Sequence, residues 1–273
     1  MSFFVYQKIL IKKKEEITMV NKFNKLSLQG KSLGKLTYVG RNKVGTNGDI
    51  SVAVLNINDT LNTENITPQA GFDFTKPFGT ELKLINASII GGEARSNRRG
   101  GARVATKSGT LLPMSDSKTD DIPEVEYDAV FVSGKDKTPV GRVRSADAFD
   151  SNDLILFSVS PNYQTDNQNN PVRDDNGEPI ISNYQFNFMQ QSKSGEINDD
   201  DTFIRILIDP TESEKLQVDL KPGAKLVPQG LKFAFVGNNA TDWTVYADTL
   251  LLGDNATRTK QNGSQTKKDE KVN

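Results

Sequence analysis

Val218 to Leu252 reads VDLKPGAKLVPQGLKFAFVGNNATDWTVYADTLLL, three strand-like runs divided by turn residues. Leu231 to Val236 alternates and stops at Gly237-Asn238-Asn239. Asp242 to Leu252 then carries the single tryptophan, Trp243, with Val245 two residues on and Tyr246 behind it. Apolar and polar residues at period two, bounded by Gly, Asn and Pro, mark paired β-strands. Trp243 offers the largest apolar surface available and is assigned to the core.

Read outward from there, the chain from Gly30 onward is strand after strand. The expected strands are 35–39, 49–57, 80–90, 125–132, 153–160, 182–190 and 202–208, each bounded by Gly, Pro, Asn or Asp. Short helices fit only at 211–218 and 146–150. The fold class is all-β, an OB-like barrel or sandwich with long loops. Thr80-Glu81-Leu82-Lys83-Leu84-Ile85-Asn86 and Pro222-Gly223-Ala224-Lys225-Leu226-Val227-Pro228 echo each other, each after an alternating strand. The echo divides the chain into an N-terminal β lobe, 19–150, and a C-terminal lobe, 151–252. One domain with long inserted hairpins is the equal alternative. Residues 164–181 form a polar excursion with a tight-turn sequence at Asp174-Asp175-Asn176-Gly177, an extended hairpin or a mobile loop. Residues 253–273 are Asn, Thr, Lys, Gln and Ser-rich and read as a disordered tail.

Composition narrows the chemistry. The 273 residues carry a net charge of −1, 35% hydrophobic residues and 14 Phe, with no Cys and no His. Disulfides, thiolate catalysis, Cys-type zinc sites, Ser-His-Asp chemistry and His-ligated metals are excluded. No P-loop or dinucleotide fingerprint is present, and no enzyme activity, metal or cofactor is expected. No run approaches the length that crosses a bilayer, so no membrane partner is expected. Asp199-Asp200-Asp201 and Asp174 to Glu178 offer oxygen ligands without EF-hand spacing, and such turns are common without metal.

A neutral chain holds nucleic acid only through a local basic surface. Gly91 to Gly109, GGEARSNRRGGARVATKSG, supplies one: Arg95, Arg98, Arg99, Arg103 and Lys107 stand against Glu93 alone, between paired glycines. Glycine lets backbone approach a ligand, and Arg offers planar donors for phosphate. The plainer reading is a solvated loop whose charge offsets the acidic run Asp116 to Asp128. Tyr184, Phe186 and Phe188, like Phe233 and Phe235, recur at strand spacing. Such rings serve as stacking platforms for bases or, more commonly, as a core face. Tyr38 fits either.

Three short stretches resemble a small family encoded on conjugative elements of Gram-positive bacteria. Leu33-Gly34-Lys35-Leu36-Thr37-Tyr38-Val39-Gly40 is similar to its opening strand, Lys225-Leu226-Val227-Pro228 to its KLVNP-like strand, and Asp242 to Asp248 to its YTLYAD-like closing strand. The family's Asn before Pro is missing here. The resemblance implies an OB-like fold and a cytoplasmic, non-catalytic accessory that binds single-stranded DNA or assists a helicase. A structural or interaction β-protein, such as a phage or surface component, is the competing reading.

The opening MSFFVYQKILIKKKEEIT places its apolar run before Lys12-Lys13-Lys14, the reverse of a secretory signal. Lys14-Glu15-Glu16 can be encoded by AAG-GAG-GAA, which contains a bacterial ribosome-binding sequence, so Met19 is the expected start. The alternative is an amphipathic N-terminal helix. Deleting residues 1–18 is expected to leave thermal unfolding unchanged, because an undocked terminus contributes little stability. A fall of several degrees in Tm would show that the segment is docked.

Overall fold

The computed structural model describes residue 23 and residues 25–41, 50–55, 61–69, 71–94, 103–116, 126–134, 136–149, 154–190, 203–214, 220–235 and 243–253. Strands dominate: one six-stranded sheet and one nine-stranded sheet, with a single α-helical turn at Pro210–Glu214 among the described residues. The class is all-β, as the alternation implies.

The first sheet contains β1 (Lys25–Ser27), β2 (Leu36–Arg41), β3 (Ile50–Leu55), β4 (Leu61–Pro68), β5 (Glu81–Ala94) and β6 (Arg103–Pro113). β2, β3 and β4 form an antiparallel meander. β4 then runs parallel to β6, β6 antiparallel to β5, and β5 returns to β2, so the sheet closes on itself. Numbered from β2 as strand 1, the circuit is 1-2-3-5-4-1, the Greek-key connectivity of an OB barrel. Leu36, Tyr38, Val52, Ile66, Leu82, Leu84 and Leu111 fill it, each at most 5% exposed. Tyr38 belongs to this core, its hydroxyl donating to the Phe74 carbonyl at 3.1 Å.

The second sheet repeats the circuit. β9 (Leu154–Tyr163), β10 (Ile181–Gln190) and β11 (Phe203–Ile208) form the meander. β11 runs parallel to β14 (Trp243–Ala247), which continues as β15 (Thr249–Leu252). β12 (Lys225–Gln229) and β13 (Lys232–Phe235) form one bent strand: β12 pairs with β9 and β15, and β13 pairs with β14. The bend falls at Gly230, whose φ is 63°. A Cβ there would also meet the Asp248 side chain, so both the positive φ and the close approach favour glycine. A hairpin, β7 (Ala129–Val132) and β8 (Pro139–Val143), is added along β13.

The two barrels match in detail at strand 4. Gly79 and Gly223 have φ of 89° and 92° and each donates to strand 1, to Tyr38 and Leu156. Three residues on, Leu82 faces Leu36 and Leu226 faces Leu154. Four residues further, Asn86 and Gly230 bend the strand at φ of 49° and 63°. The sequence echo therefore falls on equivalent strands, two residues out of register, because period-two strands match themselves at every second residue.

The division between sheets differs from the expected one at 145–151. β7 and β8, at 129–143, belong to the second sheet, since β7 runs parallel to β13; the changeover lies between Pro113 and Ala129. β1, β4, β6 and β8 were not among the expected strands. Polar residues in LNTENITP, and Arg, Lys and Gly in β6, hid their alternation. Residues 146–150 hold a 3-10 turn, Ser145–Asp147, in place of a helix.

One continuous set of buried side chains joins the barrels. β1 hydrogen-bonds β5 on one side, Leu26 facing Ile89. Leu28 then bridges to Val143 of β8, with Gln29 N–H donating to the Arg142 carbonyl at 2.9 Å and Arg144 N–H to Ser27 at 3.1 Å. Trp243, fully buried, stacks on Phe23 at 5.4 Å and meets Phe235 and Phe131 edge-on at 5.4 and 5.8 Å. A Cβ on Gly91 of β5 would lie 2.7 Å from the Phe235 ring and 3.0 Å from Trp243 Nε1. Trp243→Ala is expected to cost about 3–5 kcal/mol, read as a lowered urea midpoint. Native tryptophan fluorescence at a water-exposed wavelength would contradict the burial.

Candidate nucleic-acid interface

An OB barrel holds oligonucleotides on the face of strands 2 and 3 and through the loops joining strands 1–2 and 4–5. In the first barrel the strand 4–5 connection is 95–102, between β5 and β6. The expected basic loop, 91–109, is therefore mostly a hairpin. Gly91–Ala94 finishes β5, and Arg103–Gly109 opens β6 with Ala94 paired to Arg103. Arg103 stands at the hairpin mouth; Arg95, Arg98 and Arg99 lie outside the described residues.

Lys107 differs from the expectation. It lies within β6, opposite Ile66 on β4 and Ile89 on β5, both fully buried. Its ammonium donates to Glu64 Oε2 at 2.6 Å, and its side chain is 12% exposed. A cation so covered and paired is part of the barrel wall, not a loop contact for phosphate. Basic residues at the ends of this hairpin and in its wall look alike in sequence; only strand register separates them.

The second barrel's strand 1–2 connection, 164–180, is described throughout. It is two successive tight turns, not one extended hairpin. Thr165 bridges Pro171, and Arg173 bridges Pro179. Asp166 Oδ1 accepts the N–H groups of Gln168 and Asn170; Asp174 Oδ1 accepts those of Asn176 and Glu178, all at 2.8–2.9 Å. These bonds, foremost from Asn170 and Glu178, hold both carboxyls below the ordinary aspartate value. Their oxygens are committed to the turns. Asp199-Asp200-Asp201 lies outside the described residues.

The aromatic series on β10 is corrected by burial. Phe186 and Phe188 are 1% and 0% exposed, and Tyr184 packs against the same core. Phe233 and Phe235 are buried likewise. Rings enclosed in a barrel present no face to a base, so Phe186 and Phe188 are not stacking residues.

The other face of these strands was not singled out. Opposite residues of a pair share a face; Asn187 faces Ser158 and Arg205, Gln185 faces Ser160 and Leu207, and Met189 faces Ile155 and Phe203. Met189 is 4% exposed yet outside the shared core, and Phe157 and Phe203 meet edge-on at 5.9 Å from the flanking strands. Alternation from inward Leu156 places the Phe157 ring there, and the register shift after it brings Ser158 opposite Asn187. Beyond the rings lies an amide network. Asn187 Nδ2 donates to Ser158 Oγ at 2.9 Å, Gln185 Nε2 to Asn187 Oδ1 at 3.0 Å, and Asn162 Nδ2 to Asn183 Oδ1 at 2.8 Å. The signal was in the sequence: Asn183, Gln185 and Asn187 alternate with the three rings of β10.

The fold and these faces define a tandem OB-type protein. No family model matches the chain, and no curated protein does. Fission yeast Pot1, solved with ssDNA, is among similar structures, at 11% identity over 82% of this chain and 79% of that chain, with a TM-score of 0.22. A likeness that loose carries no argument about function.

Lys107→Met leaves Glu64 without its partner. Glu64 is about a third exposed, so the expected cost is about 1–2 kcal/mol, below that of a fully enclosed pair. Chemical denaturation measures it. Unchanged stability would mean that the pair is solvent-screened.

Proposed function

We propose that the protein is a non-catalytic accessory of a conjugative element that binds single-stranded DNA, alone or beside a helicase. The observation that carries this is the placement of the basic run: Arg95, Arg98 and Arg99 fall in the connection between strands 4 and 5, and Arg103 at its edge. That connection is one through which OB barrels grip oligonucleotides. The resemblance supplies the conjugative setting. Its matching stretches fall on strand 1 of the first barrel and on strands 4 and 5 of the second. No described helix is long and apolar enough to cross a membrane.

A second reading, an interaction protein without a nucleic-acid role, draws on one surface. Phe78 is 79% exposed and Met114 57%, and both lie near the Glu81 end of β5, where Met114 N–H donates to the Glu81 carbonyl at 3.0 Å. Exposed apolar side chains at one place mark protein contacts.

Salt dependence separates the two. Each phosphate neutralised on a single strand steepens the log–log salt slope by roughly 0.7. Arg98→Glu with Arg99→Glu is expected to flatten the slope and weaken binding to every sequence about equally, while the fold survives. Titrations of labelled single-stranded DNA at two or more salt concentrations give the answer. Wild-type affinity and slope in the variant would remove the basic run from the site, and no binding by either protein would favour the interaction reading.

A further inference from the structure

We infer that the outward face of β9, β10 and β11 reads bases, so that the second barrel discriminates sequence while the first supplies charge. This rests on the single-stranded DNA reading above and gives that site a second, chemically different part.

Charge is the first argument. β9 and β10 contain no charged residue, and β11 contains Arg205 alone. A surface meant for phosphate carries Lys and Arg; a surface that reads base edges needs neutral donors and acceptors. Asn162, Asn183 and Gln185, all partly exposed, provide them on one face in two hydrogen-bonded groups, Asn162–Asn183–Ser182 and Gln185–Asn187–Ser158, in which Asn187, 6% exposed, serves as a brace for Gln185.

Valence is the second. A primary amide has two donor hydrogens and a carbonyl with two lone pairs. Gln185 gives one hydrogen to Asn187, and Asn162 gives one to Asn183. The side-chain carbonyl oxygens of Gln185 and Asn162 accept nothing among the described residues, while the Asn162 backbone carbonyl accepts the Ser182 hydroxyl at 3.0 Å. Both side chains are partly exposed. Their mutual bonds hold the remaining donors and acceptors in fixed directions, the condition for reading the Watson–Crick edge of an unpaired base.

The third argument is the ring pair. Phe157 and Phe203 are partly exposed, unlike the enclosed rings of β10, and they border the amides on the same face. Phe203 lies opposite Met189, so bases stacked at this end and continuing along the face would run toward Gln185 and Asn183. Stacking accepts every base; the amides supply the choice.

The test uses the full chain and labelled oligo(dA), oligo(dC) and oligo(dT) of equal length at two salt concentrations. Wild type is expected to prefer one base by about tenfold, within the range of a good amide–base contact. Asn183→Leu with Gln185→Leu is expected to bind all three alike, with the wild-type salt slope, because no charge has changed. Phe203→Ala is expected to weaken all three by about tenfold. Should Phe203→Ala fail to fold, the amide variant still decides, since Asn183 and Gln185 lie outside the buried core. Equal wild-type binding to the three oligonucleotides, or an amide variant that keeps the wild-type preference, overturns the inference and leaves the DNA reading standing. A wild type that binds none of them overturns both.

Discussion

Trp243 stands where the two barrels meet, and its packing decides how much of the rest can form. Its ring is enclosed by Phe23, Phe131 and Phe235, and Gly91 of the first barrel comes so close that a methyl group there would overlap Phe235. Close approach of this strand to the Phe235 ring and the indole Nε1 demands a residue without a side chain, which is why a glycine stands at position 91 of β5. β1 reinforces the junction by pairing with β5 while Leu28 and Gln29 reach β8. The join is thus made twice, by ring packing and by backbone hydrogen bonds.

That junction sets the positions of the two strand 4–5 connections. In the first barrel the connection begins after Ala94, a few residues beyond Gly91; in the second it begins after Phe235, which packs on Gly91. Both leave from strands that meet around one tryptophan. The first connection holds Arg95, Arg98 and Arg99; the second, 236–242, holds Asn238, Asn239 and Asp242 and no cation. Repetition of one fold with divergence of its loops is how a superfold takes on distinct tasks.

Much of this was legible in the chain. Alternation ending in Gly, Pro and Asn gave the all-β class, and Trp243 and its neighbours gave the closing strand. The strand echo left duplication and a single domain as equal readings, and a two-residue slip, which preserves inward and outward faces, cannot be detected from alternation alone. Less legible was everything that depends on pairing. β6 looked like loop because Lys107 and Gly109 interrupt its apolar pattern, yet both point inward in the barrel, Lys107 against Glu64 and Gly109 beneath Leu84. The exchange of β7 and β8 into the second sheet rests on a parallel pairing with β13, about a hundred residues away in sequence, which leaves no local mark.

Phe186 and Phe188 on β10 take the commoner of their two readings, the core face, for a physical reason. Phenylalanine in a strand is first a source of buried area, and Phe186 and Phe188 meet that need completely. The residues free to contact a ligand are those the core does not claim, and on β10 these include the amides Asn183 and Gln185. On β9 Phe157 follows inward Leu156 and so faces out of the barrel by alternation, and Phe203 at the start of β11 meets it. The proposed site is therefore divided by what each barrel can spare: charge at the first barrel's hairpin, neutral hydrogen-bonding groups and two rings on the second barrel's face. A chain with net charge −1 has no long-range attraction for a polyanion. Affinity would have to come from a few well-placed cations and discrimination from uncharged groups. These respond differently to salt, since counterion release scales with phosphates neutralised and amide–base hydrogen bonds release none. The junction at Trp243 fixes the two barrels to each other, so a strand held by both would span a separation set by the fold instead of by a linker.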